Sequence, residues 1–117
     1  FLSQDQLASA YALADIIISR AGSGAIFEIA ASGKPSVLIP YMAAAGGHQM
    51  KNAQIYKDAG AARVLRGRNI MPHILESLID SILGNKEKAA EMSSAARNFF
   101  KPDAAGKIAE EIVRLAY

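Results

Sequence analysis

The order of the apolar stretches constrains this chain more than any other feature. Two short, almost wholly apolar runs, Ile16-Ile17-Ile18 and Ser36-Val37-Leu38-Ile39, alternate with segments whose apolar residues recur at helical spacing. An aliphatic run without polar alternation suits a strand buried on both faces, as in a parallel sheet covered by helices. Arg63-Val64-Leu65 is a third and weaker strand candidate. The expected fold class is α/β, with three parallel strands and covering helices.

Local signals bound the other elements. Ser3 and Gln6 have capping-box spacing, and Leu7, Ala10, Tyr11 and Ala14 line one helix face that Asp15 ends. Arg20-Ala21-Gly22-Ser23-Gly24 reads as a loop, and Ala25 to Ser32 as a short helix closed by Gly33. Lys34-Pro35 restarts the chain in extended form, and Pro40 stops the second strand. The small-residue loop Ala43-Ala44-Ala45-Gly46-Gly47 then leads into a helix from His48 to Asp58, with Gly60 as its terminator. Ile74, Leu75, Leu78, Ile79, Ile82 and Leu83 form one later helical face, followed by an alanine-rich helix from Lys86 to Phe100. Beyond Pro102 and an Asp103 cap, Ile108, Ala109, Ile112, Val113 and Ala116 make a third amphipathic face. Tyr41, Phe99 and Phe100 are expected in the core or beneath the terminal helices.

Composition removes several functions. The 117 residues suit one compact unit, and 51% hydrophobic with 21% charged residues is the balance of an ordinary folded protein. A net charge of +2 is too small to argue for nucleic acid, and no aromatic residue interleaves with a basic run. The pI near 9.0 tolerates an anionic ligand. Without cysteine there is neither a disulfide framework nor a thiolate metal site, and His48 and His73 have no ligand spacing. No apolar run reaches the ~20 residues of a membrane span, and no signal peptide opens the chain. Arg63, Arg66 and Arg68 read as a solvated strand end.

Right-handed crossovers place the loops at 20–24 and 40–47 on the carboxyl edge of the sheet, where open α/β sheets bind ligands. Gly22-Ser23-Gly24 leads directly into a helix whose free N–H groups and partial positive charge suit a phosphate or diphosphate. A tight turn with no guest is the plainer reading. Glu28 could accept hydrogen bonds from a ribose diol, or could simply favour the helix start. His48, Gln49 and Asn52 share the start of one helix, where they could grip sugar hydroxyls or face water. The residues alone leave these alternatives open.

The ordered blocks themselves add a resemblance. Ala14-Asp15-Ile16-Ile17-Ile18-Ser19-Arg20-Ala21-Gly22, Glu28-Ile29-Ala30-Ala31-Ser32-Gly33-Lys34-Pro35 and His48-Gln49-Met50-Lys51-Asn52-Ala53 resemble the carboxyl-terminal domain of the MurG family of GT-B glycosyltransferases. Asp58-Ala59-Gly60-Ala61-Ala62 and Pro102-Asp103-Ala104-Ala105 continue the similarity in the same order. It implies a partial Rossmann-like donor domain over residues 1–117, comprising its second half, with the acceptor domain and early strands absent. It also implies binding of UDP-N-acetylglucosamine and transfer of its sugar to lipid I, making lipid II in peptidoglycan synthesis, at the inner face of the bacterial membrane. Under the resemblance Glu28 holds the ribose; Gly22, Ser23, Gly24 and Ala25 face the diphosphate; Leu2 reads the uracil edge. Gln49, with His48 and Asn52 nearby, meets the donor sugar. No catalytic base, metal or cofactor is assigned to this chain. Gly46-Gly47 stand where the family often carries acidic residues.

An open sheet edge would need a cover, from missing strands or from a second copy. Three other functions compete: a UDP-sugar hydrolase using the same donor site, a non-catalytic donor-binding subunit, and a structural α/β fragment without a ligand.

Overall fold

A computed structural model describes residues 3–42 and 47–100. Leu2, the loop segment 43–46 and the amphipathic face expected after Pro102 lie outside the described residues. The elements alternate from the start: α1 (Gln4–Leu13), β1 (Ile17–Ser19), α2 (Ser23–Ser32), β2 (Ser36–Leu38), α3 (His48–Asp58) and β3 (Ala62–Val64). A 3-10 turn at Gly67–Asn69 then leads to α4 (Pro72–Leu83) and α5 (Lys86–Asn98). The strands form one parallel sheet in the order β1-β2-β3, so the expected class holds.

The capping box is present: Ser3 Oγ accepts from the Gln6 N–H at 3.2 Å, and Gln6 Oε1 accepts from the Ser3 N–H at 2.9 Å. Gly33 closes α2 for two reasons. Its φ of +66° is left-handed, and a Cβ there would stand 2.7 Å from Arg97 Cγ. A glycine is thus required both by the turn and by the approach of α5.

Register explains the layers. Ile17 pairs with Ser36, Ser36 with Ala62, and Leu38 with Val64, which puts these residues on one face of the sheet. That face joins Ile26 and Ile29 of α2, Ala53 and Tyr56 of α3, and Ala96 and Phe99 at the end of α5 in the larger core cluster. Val37 points the other way and packs with Leu65, Ile82 and Met92 beneath α4 and the first half of α5. The sheet is thus covered on both faces, with α5 serving both cores.

Three expectations need correction. Each strand lies within one residue of its expected place, but β1 is not buried on both faces: Ile18 is 44% exposed. It pairs with Val37, so it faces the α4 side, but the cluster on that side takes in its neighbour Ile16 and not Ile18 itself. Tyr41 is exposed rather than packed in the core, with the Arg20 guanidinium 5.6 Å from its ring centroid. Helix α2 also starts earlier than expected, at Ser23 with Gly22 as its cap.

Tyr56 carries a liability. Its hydroxyl is buried and has no hydrogen-bond partner among the described residues, and burial raises its pKa well above the model-compound value of 10.0. Tyr56→Phe removes only that unpaired oxygen, so it is expected to be neutral or to stabilise by up to about 1 kcal/mol in urea unfolding. The phenol is harder to ionise folded than unfolded. Its contribution is therefore complete below pH 10 and declines as pH rises above it. The Phe variant should lose less stability than wild type over that alkaline range. A loss above about 1 kcal/mol at neutral pH would mean that the hydroxyl has a partner after all.

Candidate nucleotide-binding edge

At the carboxyl end of β1 the chain runs through Arg20, Ala21 and Gly22 into α2. Gly22 has extended φ/ψ of −67° and 152°, and no side chain caps the helix. The first N–H groups of α2, at Ser23, Gly24 and Ala25, therefore lack the side-chain acceptor that usually satisfies such an end. Among the described residues, a Cβ built on Gly24 meets no atom within 4 Å, and one on Gly22 meets only Gln49 Nε2 at 3.9 Å. Internal packing therefore does not demand glycine at either position. What these residues preserve is open space in front of a helix start with spare donors, the geometry of an anion site.

The second loop brings α3 to the same edge. Gly47 caps it in the left-handed region with φ of +62°, again without a side-chain cap. His48 follows, exposed to solvent. Gln49 turns toward the first loop: its Oε1 accepts from the Tyr41 N–H at 2.7 Å and from the Ala21 N–H at 3.4 Å. Asn52 lies deeper, only 3% exposed, and its Nδ2 donates to the Ala21 carbonyl at 3.1 Å. Its Oδ1 has no partner among the described residues. Helix α3 thus holds Ala21 by both its N–H and its C=O, fixing the residue before the glycine cap.

Glu28 sits between one and two turns into α2, exposed, and accepts a hydrogen bond at Oε2 from the Tyr11 hydroxyl at 3.3 Å. Of the expected site residues, Gly22, Gln49 and Asn52 share direct or near contacts, whereas Glu28 contacts α1 instead. Asn52 faces inward rather than along the open edge. Sequence reasoning missed Tyr11, Arg20 and Tyr41. Arg20 donates from Nη1 to the Ile39 carbonyl at 3.3 Å, tying the ends of β1 and β2 together. Arg63 is half-buried on β3 and only Arg66 and Arg68 are exposed, so the basic run is less solvated than expected.

A parallel sheet with two uncapped helix starts at one carboxyl edge belongs to the Rossmann-like class of α/β units. Residues 3–108 match the glycosyltransferase family 28 C-terminal domain, and the chain belongs to that family. It is 40% identical over 108 residues to a Solibacter usitatus protein named UDP-N-acetylglucosamine–N-acetylmuramyl-(pentapeptide) pyrophosphoryl-undecaprenol N-acetylglucosamine transferase. That match covers 92% of this chain and 29% of the relative. A protein of the same name from Xanthomonas axonopodis pv. citri is 38% identical, over 94% of this chain and 26% of the relative. The crystal structure of Acinetobacter baumannii MurG matches with a TM-score of 0.73 and 32% identity, covering 97% of this chain and 32% of that one. The fold is accordingly that of a MurG GT-B carboxyl-terminal domain. The chain spans less than a third of these relatives.

Proposed function

We propose that the chain is the donor-binding part of an inverting N-acetylglucosaminyltransferase, taking UDP-N-acetylglucosamine and serving transfer to lipid I. The observation that carries the reading is the uncapped start of α2 behind Gly22 and Gly24, facing space that no side chain among the described residues fills. The names of the relatives supply the donor and acceptor. In this reading the N–H groups of Ser23, Gly24 and Ala25 meet the diphosphate and stabilise the charge that develops on UDP as it leaves. Glu28 takes the ribose hydroxyls. Gln49 and His48 serve the donor sugar, and Leu2, outside the described residues, is assigned the uracil by the resemblance alone.

Asn52 acts beneath the loop, holding Ala21 rather than touching sugar. Residues 1–117 are then the second half of the donor domain, and the acceptor and its activating base belong to a wall outside these residues. No helix among the described residues is long and apolar enough to cross a membrane, and we place the protein at the cytoplasmic face as a peripheral component.

Calorimetric titration with UDP tests the reading. Glu28 is exposed, so its hydrogen bonds to a ribose compete with water, and Glu28→Ala is expected to weaken UDP about tenfold, the equivalent of one charge-assisted bond. Unchanged affinity in the variant would remove Glu28 from the site. Wild type that fails to bind UDP would remove the donor reading.

A further inference from the structure

Glu28 projects from the exposed side of α2, where a carboxylate has several torsions free and no backbone donor to fix it. Among the described residues, the one group that hydrogen-bonds to it comes from a different helix. Tyr11 of α1 donates its phenol hydrogen to Glu28 Oε2 at 3.3 Å. The Tyr11 ring is half-buried against the larger core cluster, and α1 packs on α2, so the donor is anchored while the acceptor is not. An ionised carboxylate has about four lone-pair positions; one bond from Tyr11 limits its rotation and leaves Oε1 free to accept.

We propose that Tyr11 is a positioning residue, holding the Glu28 carboxylate ready for the ribose hydroxyls of a uridine nucleotide and so favouring ribo- over 2′-deoxyribonucleotides. The inference rests on the donor-site reading of Glu28. Burial chiefly, then the charge of Glu28 and the hydrogen bond to it, raise the Tyr11 pKa above its ordinary value, so the phenol, already protonated at neutral pH, stays a donor further into the alkaline range. Helix α1 thereby becomes part of the specificity of a site whose other residues lie on α2 and α3.

The test compares wild type, Tyr11→Phe, Glu28→Ala and the double variant, each titrated with UDP and with 2′-deoxy-UDP, and each checked for folding by thermal unfolding. Tyr11→Phe keeps the packed ring. It should weaken UDP about fivefold, change 2′-deoxy-UDP by less than about twofold, and add nothing once Glu28 is alanine. Equal weakening of both nucleotides would make Tyr11 a packing residue only and overturn the proposal, as would an unchanged UDP affinity or a full Tyr11 effect in the Glu28→Ala background. Those outcomes leave Glu28 in the site. Wild-type affinity of Glu28→Ala for UDP would instead remove Glu28 from the site, and the role of Tyr11 with it, while wild type that fails to bind UDP would remove the donor reading.

Discussion

Phe99→Ala should cost about 3–5 kcal/mol of folding stability, the usual range for emptying a buried aromatic site. Phe99 is 1% exposed and packs edge-on against Tyr56 of α3 and against Phe100, each at 4.8 Å between ring centroids. Phe100 in turn stacks on Phe27 of α2 at 4.3 Å. Phe99 and Phe100 at the end of α5 therefore add an aromatic link between α3 and α2, two helices that also touch each other directly. Removing Phe99 loses the transfer energy of the ring, two aromatic pairs and the contact that closes the last turn of α5. A domain of this size has only about 5–15 kcal/mol in total, so the midpoint of thermal unfolding should fall by roughly 15–30 °C. Phe100→Ala, at a half-buried site, should cost less than half as much. Circular dichroism on the two variants decides the matter: a Phe99→Ala loss below about 1 kcal/mol would mean that the core is not organised around this ring.

Why that ring could be placed from the sequence, and Tyr41 could not, follows from what periodicity reports. Phe99 ends a helical repeat whose other inward positions include Met92 and Ala96, so its burial is legible as part of a stripe. Tyr41 follows Pro40 at the end of a strand, where no repeat carries the face forward, and its neighbour Arg20 is supplied by the other loop. Ile18 fails for a related reason. An aliphatic run states that a strand can be buried on both faces, but whether a helix reaches it depends on its position in the sheet, and β1 is an edge. The capping box and the turn at Gly33 were legible because their partners lie within a few residues.

The candidate site divides along the same line. Gly22, Ser23 and Gly24 could be selected because a parallel sheet fixes where loops emerge, and the resemblance gave Glu28 and Gln49 their expected roles. The inward turn of Asn52 and the bond from Tyr11 to Glu28 join residues 31 and 17 positions apart from their partners. No local pattern encodes such a pairing. What the structure adds is the division of labour within α3: Asn52 supports the loop from below while Gln49 lies at its rim.

That division makes Gln49→Ala the more severe site variant, with UDP affinity expected to fall by about 30–100-fold, or roughly 2–3 kcal/mol. A single oxygen, Gln49 Oε1, accepts from both the Tyr41 and the Ala21 N–H groups, so truncation strands two donors, cuts the tie between the loops and leaves Ala21 held to α3 through Asn52. The start of α2 depends on Ala21 being held, because the N–H groups that the proposed donor site turns toward a diphosphate follow within a few residues. Gln49→Glu separates support from contact. A carboxylate preserves both accepted bonds, but it replaces the amide nitrogen nearest Gly22 with a negative oxygen. If Gln49 only ties the loops, the Glu variant should bind UDP as wild type does. If its amide also faces the donor, the like charge should weaken the diphosphate by tenfold or more and the loss should shrink as salt rises. The second outcome is the expected one, and a Gln49→Ala affinity within about threefold of wild type would sink the tie itself.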